Sequence, residues 1–221
     1  MRSSPVVLIL LLMSPALQAQ NRVSLSLNPG VYLYNSENTL QTSENGSLAW
    51  APGFSVAYER DSLWGMTVHV EYAYARSADV NAMPFTFNAP SLAVVSFGAD
   101  VVFMSHHLDL GVCFRPCRSI LLALGPSVAL IHRTIELTEP QVDVIPARHF
   151  EDRLVSMALG ANAFASFELP IQEGPKYIFL LTSLKVRFLH AIWFDKRGRD
   201  LDNYFQNSFL AQVGIGVGYS F

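Results

Sequence analysis

The sequence predicts an all-β fold, a transmembrane antiparallel up-and-down β-barrel of eight strands with ten as the alternative. Three observations carry that expectation. Of 221 residues, 51% are hydrophobic and only 15% charged, whereas an ordinary soluble domain is about a quarter charged. Mean hydropathy is +0.27, yet beyond residue 20 no apolar run approaches the roughly 18 residues that a membrane helix needs. The apolar residues instead recur at every second position in short segments, which is the period of a strand. With 15 Lys and Arg against 18 Asp and Glu the formal net charge is -3, so no basic footprint for nucleic acid exists.

Residues 1–19 read as a cleaved leader rather than as part of the fold. Arg2 supplies positive charge, Val6 to Met13 an apolar stretch, Pro15 a breaker, and Leu17-Gln18-Ala19 a cleavage site. A barrel domain over residues 20–221 is then expected.

The first segment sets Val23, Leu25, Leu27, Pro29, Val31 and Leu33 against Ser24, Ser26, Asn28, Gly30 and Tyr32. The second sets Leu48, Trp50, Pro52, Phe54, Val56 and Tyr58 against Ala49, Ala51, Gly53, Ser55, Ala57 and Glu59. Val68, Val70, Tyr72 and Tyr74 alternate with His69, Glu71 and Ala73 in the third, and Leu108, Leu110, Val112 and Phe114 with Asp109, Gly111, Cys113 and Arg115 in the fourth. Ile120, Leu122, Leu124, Val128 and Leu130 define the fifth, and Val155, Met157, Leu159, Phe167 and Leu169 the sixth. The seventh opposes Ile178, Leu180, Leu184, Val186, Phe188, Ile192 and Phe194 to Ser183, Lys185 and Arg187. The eighth opposes Phe209, Ala211, Val213, Ile215, Val217, Tyr219 and Phe221 to Ser208, Gln212, Gly214, Gly216, Gly218 and Ser220.

A soluble sandwich would carry Lys, Glu and Thr on its second face. Here that face is dominated by Gly, Ala and Ser with one or two charges per strand, which suits a crowded interior behind a lipid-facing exterior. Connections alternate too. Short links at Asp61-Ser62-Leu63, Pro116-Cys117-Arg118 and Pro170 to Lys176 are balanced by long ones at Asn35 to Gly46, Arg76 to about Met104, Arg133 to Arg153 and Asp195 to Asn207. Strand four is expected from about Gly98 to Arg115, with Phe85 to Phe97 in a partly structured loop. A further segment could hide in Arg133 to Arg153, where Thr134-Ile135-Glu136-Leu137-Thr138 alternates.

The leader, the eight alternating segments and the terminal run Phe209 to Phe221 resemble the small bacterial outer-membrane β-barrels of the OmpX and OmpA-transmembrane-domain type. The resemblance covers essentially the whole chain after the leader. It implies a Gram-negative outer membrane, loops outside and both termini in the periplasm. It also implies that barrel-assembly machinery reads Phe221 with Tyr219, Val217 and Ile215. It says little of function, because one fold hosts many.

An eight-stranded barrel is filled by side chains. The inward lists place Glu59, His69, Glu71, Asp109, Arg115, Glu168, Lys185 and Arg187 in that lumen, three bases facing four carboxylates and a histidine, the makings of an ion-pair network. Catalytic, cofactor and metal sites are not expected. None of the six histidines is followed two residues on by Ser, as in a lipid A 3-O-deacylase. His132 and His190 lie on the lipid face near the outer ends of strands five and seven, where an aromatic belt is the simpler explanation. Cys113 and Cys117 flank a turn, with Cys113 expected opposite Leu121 and a disulfide left open. In the last loop, Lys196, Arg197 and Arg199 are candidates for contact with lipopolysaccharide phosphates. The third loop, with Glu136, Glu139, Asp143, Glu151 and Asp152 around Arg148, reads as solvation.

The function expected is a non-enzymatic, monomeric barrel with a structural or surface-interaction role toward an unknown extracellular ligand. A lipid A-modifying enzyme and a small-solute pore are the alternatives.

Overall fold

The computed structural model describes residues 20–35, 47–61, 66–79, 85–88, 94–117, 119–140, 150–172, 174–195 and 207–221. All regular elements there are strands: β1 (Asn21–Leu27), β2 (Gly30–Asn35), β3 (Ser47–Trp50), β4 (Gly53–Asp61), β5 (Thr67–Asp79), β6 (Phe85–Asn88), β7 (Val94–Cys117), β8 (Ile120–Pro140), β9 (Phe150–Pro170), β10 (Tyr177–Phe194) and β11 (Asn207–Ser220).

They form one antiparallel sheet in the order β1-β4-β5-β7-β8-β9-β10-β11, and β11 returns to pair with β1. Arg22 faces Ser220 and Leu27 faces Ile215 across that seam. Asn21 and Phe221 exchange backbone hydrogen bonds of 3.0 and 2.9 Å there. The sheet is therefore a closed ring of eight staves, and closure removes the free edges that an open sheet would leave unpaired.

Eleven strands make eight staves because two staves are interrupted and one hairpin is appended. Pro29 and Pro52 lack the N–H that a ladder needs, and the first and second staves break at Asn28-Pro29 and Ala51-Pro52. The breaks lie side by side and are stitched across: Asn28 N donates to Gly53 O at 2.8 Å and Ala51 N to Gly30 O at 2.7 Å. β2 continues against β11 and β3.

Outside the bilayer zone the ladder runs further than alternation does. β7 has 24 residues and β8 and β9 have 21 each, against the ~9–11 that a tilted strand needs to cross. Strand four begins at Val94 rather than Gly98, and Phe85–Asn88 folds back on Val94–Phe97 as a hairpin. The Thr134–Thr138 run is the upper part of β8, paired to β7 and β9, so it extends the fifth stave and adds no tenth strand. Glu136, Glu139, Glu151 and Asp152 accordingly lie in strands, while Asp143 and Arg148 fall outside the described residues.

Among the described side chains the expected polarity is present. Leu25 is 53% exposed, Leu184 57% and Ile215 63%, whereas Arg187 is 1% and Glu71 2% exposed. A surface that shows aliphatic side chains and buries charge is stable only where the surroundings are apolar. Among the described residues no helix is long and apolar enough to cross a membrane.

Candidate functional site

The lumen is the site, and parity along the strands builds it. On β10, Ser183, Lys185, Arg187 and Leu189 point inward as Leu184 and Phe188 point out. On β5 the inward residues are Thr67, His69, Glu71, Ala73 and Ala75; on β7 they include Asp109 and Cys113. All eight sequence-predicted lumen residues face the interior, Arg115 being the least buried of them, and they sort into two clusters.

The central cluster surrounds Arg187. Its Nε donates to Asp109 Oδ2 at 2.7 Å, one terminal nitrogen to Glu71 Oε1 at 2.8 Å, and the other to Gln212 Oε1 at 2.5 Å. Lys185 Nζ donates to the second Glu71 oxygen at 2.5 Å and to Ser55 Oγ at 2.9 Å. Ser127 Oγ donates to Asp109 Oδ1 at 2.5 Å. Every carboxylate oxygen of Glu71 and Asp109 thus has a donor, the condition under which a buried charge pair is tolerated.

The second cluster lies toward the end that carries both termini. Arg115 forks onto Glu168 at 2.8 and 2.9 Å and reaches Glu59 at 2.8 Å. Arg22 stands by at 3.9 Å from Glu59, 3.8 Å from Glu168 and 4.0 Å from Asp61. His69 bridges the clusters, with Nδ1 3.4 Å from Glu59 and Nε2 3.6 Å from Glu71. Its ring packs on Phe164, centroids 4.4 Å apart.

Arg22 corrects the sequence count of three bases to four carboxylates. With it the two clusters hold Arg22, Arg115, Lys185 and Arg187 against Glu59, Glu71, Asp109 and Glu168, and Arg133 is a further buried base on the inward face of β8. It occupies the inward position before Ser24, so parity extended by one step would have found it. Sequence reasoning also passed over His107, whose Nε2 lies 2.8 Å from Ser105 Oγ in the buried upper lumen. It is the next inward position on β7 above Asp109.

Apolar side chains close the remainder. Cys113, Leu121, Ala123 and Phe164 pack together, and Tyr32 stacks on Phe103 at 5.4 Å toward the loop end. The inward glycines of β11 make room: a Cβ at Gly218 would collide with the ring of Phe179 and one at Gly214 with Ser183 Oγ. A cavity of about 20 Å³ beside Glu59, His69, Glu71 and Lys185 has room for about one water.

Among the other predicted residues, Cys113 is opposite Ala123, two positions from the expected Leu121, because pairing runs on to Cys117 and Ile120 and the turn falls after Cys117 rather than on it. Both thiols are free, Cys113 buried and Cys117 exposed. His132 and His190 do face outward. His132 meets the ring of His106 at 5.9 Å, and His190 Nδ1 lies 2.8 Å from Asn207 Oδ1. The two stand on different, non-adjacent strands, and neither contact is with a hydroxyl nucleophile. Ile215, Val217, Tyr219 and Phe221 all point outward, with Tyr219 and Phe221 stacked at 5.8 Å. Lys196, Arg197 and Arg199 lie outside the described residues, as does the leader. Among the described residues no group of three or more His, Cys, Asp or Glu is placed to hold a metal.

A closed ring with an aliphatic exterior and an interior of ion-paired and packed side chains defines an eight-stranded membrane β-barrel. No protein-family model matches the chain, and no curated protein is similar to it in sequence. Among solved structures it is similar to the attachment invasion locus protein Ail of Yersinia pestis, in complex with the heparin analogue sucrose octasulfate. There the identity is 15% and the TM-score 0.42, over 91% of this chain and 99% of that one. The N-terminal β-barrel domain of Pseudomonas aeruginosa OprF is 14% identical with TM-score 0.33, over 92% and 100%. The outer membrane protease OmpT of Escherichia coli is 8% identical with TM-score 0.40, over 94% and 98%. Such distant likenesses carry no role across, and the barrel's own closure and polarity define its class.

Proposed function

We propose that this chain is an integral outer-membrane barrel, exported by the leader 1–19, whose lumen is a structural plug and whose loop end meets the exterior. The observation that supports this reading best is that Arg187, Lys185 and Arg115 tie together carboxylates from four staves, Glu59, Glu71, Asp109 and Glu168, across the interior. On this reading both termini are periplasmic, the terminal strand ending at Phe221 is the assembly signal, and Lys196, Arg197 and Arg199 contact lipopolysaccharide phosphates. The barrel acts as a monomer, without cofactor, in a structural or surface-interaction role toward an extracellular ligand. Catalysis is disfavoured because His132 and His190 are directed to other rings and amides.

Membrane fractionation with gel mobility tests it. The chain is expected in the outer-membrane fraction with mobility that changes on heating, and deletion of Phe221 is expected to lower the folded fraction. Recovery in the soluble periplasmic fraction, or heat-insensitive mobility, would contradict it. The mass of lipid A is expected to be the same with and without expression.

A further inference from the structure

The outer face of the barrel carries a polar interruption that plugging the lumen does not explain. Register places Arg76, Met104, His132 and Val155 in one row across β5, β7, β8 and β9. One outward position below lie Tyr74 and His106, and one above lie Thr134 and Arg153. Every outward neighbour of this patch toward the terminal end is apolar or aromatic: Tyr72, Leu108, Leu130 and Met157. The patch therefore sits where the apolar belt stops.

Its depth is marked independently. Trp50 and Trp193 are 59% and 53% exposed on the same outer surface, and Trp193 is in the row of Tyr74 and His106 through Met157. Exposed tryptophan and tyrosine settle at the headgroup level of a bilayer. Arg76 is exposed and makes no ion pair among the described residues. His106 is held by a 2.8 Å hydrogen bond between Nδ1 and Tyr72 Oη. With the phenol as donor the imidazole proton sits on Nε2, available outward. The rings of His106 and Tyr74 meet at a tilt with centroids 5.3 Å apart, and His106 meets His132 edge-on.

Arg76 and His132 are two strands apart, about 10 Å at ~4.8 Å per strand, a gap that an arginine side chain can close around an anion. We propose that Arg76, His106 and His132 form a binding site on the barrel's outer wall for the phosphate of an outer-leaflet glycolipid. A guanidinium and two imidazole donors face the phosphate, and Tyr72, Tyr74 and Leu130 receive the acyl chains beneath it. The site is separate from the loop residues Lys196, Arg197 and Arg199, and it rests on the outer-membrane reading for the identity of the lipid.

The test uses the full barrel in phosphatidylcholine nanodiscs doped with equal amounts of bisphosphorylated lipid A and its dephosphorylated counterpart of identical acylation. Bound lipid is counted by native mass spectrometry after release from the disc. The wild type is expected to retain the phosphorylated form preferentially. Arg76→Gln is expected to lower that retention about fivefold, the scale of one basic residue at a lipid surface, and His132→Gln to lower it as well. Arg60→Gln, also exposed and outward but at the terminal end, should leave it unchanged. Heat-shifted mobility confirms that each variant is folded. Equal retention of the two lipids by the wild type, or unaltered preference in Arg76→Gln, overturns the proposal. Because retention is read in a defined bilayer, such a failure leaves the cellular location of the barrel standing, and mislocation in cells would leave retention standing.

Discussion

The two charge clusters of the lumen are built from the same residue types but are held differently. The bonds made by Arg187 and Lys185 are all 2.5–2.9 Å, and Arg187 and Glu71 are 1% and 2% exposed. Around Arg115 the short bonds are joined by looser ones, with Arg22 at 3.8–4.0 Å and the Arg115 side chain 15% exposed. The difference follows pairing: each terminal and ε nitrogen of Arg187 meets its own acceptor, whereas in the second cluster Arg22 Nε, one Arg22 terminal nitrogen and Arg115 Nε are buried without one.

Removing single members sharpens the contrast. Arg187→Met strands Asp109 and Glu71 with too few donors and is expected to cost about 3–5 kcal/mol, read as a lower urea midpoint for barrels folded into liposomes. Lys185→Met leaves Glu71 its bond from Arg187 and is expected to cost about 1.5–3 kcal/mol by the same measurement, the value of a hydrogen bond to a charged group. Arg22→Gln leaves Arg115 on both Glu59 and Glu168 and is expected to cost about 1 kcal/mol or less. If Arg22→Gln proved as damaging as Arg187→Met, the contrast in pairing would carry no energetic weight. A further variant asks whether the central charges supply shape or stability. Replacing Glu71, Asp109, Lys185 and Arg187 together by Leu or Met of similar volume is expected to be far milder than Arg187→Met alone, since no charge is left unpaired.

Much of this lumen was legible in sequence because a closed barrel turns parity into direction. One register of alternation, fixed by Leu184, Val186 and Phe188, sends Lys185 and Arg187 inward, and the same rule delivers Glu71 and Asp109. Parity does not say which charges meet: Lys185 and Glu71 are 114 residues apart, and only strand order and shear bring them together. Arg22 and His107 escaped notice for a smaller reason, each lying one inward step beyond the apolar run used to recognise its strand.

Sequence alone assigns the upper parts of β8 and β9, and the first residues of β7, Val94–Phe97, to loops, and the physics explains why. Alternation arises when one face meets lipid and the other does not. Above the bilayer both faces of a sheet meet water, so Asp100, Glu136 and Glu151 fall in one register row with no hydrophobic period to announce it. The hydrogen-bond ladder continues where its sequence signal has stopped. Pro29 and Pro52 show the converse: both keep the apolar period yet break their strands, because the ladder needs an N–H and the period does not.

The central claim is that ion pairs and packed side chains close this lumen. Planar-bilayer recording of the purified, folded barrel tests it most directly. The wild type is expected to give a flat current trace with no reproducible unitary steps. Steady, repeatable conductance steps from the wild type would contradict the filled lumen and move the chain among the pores.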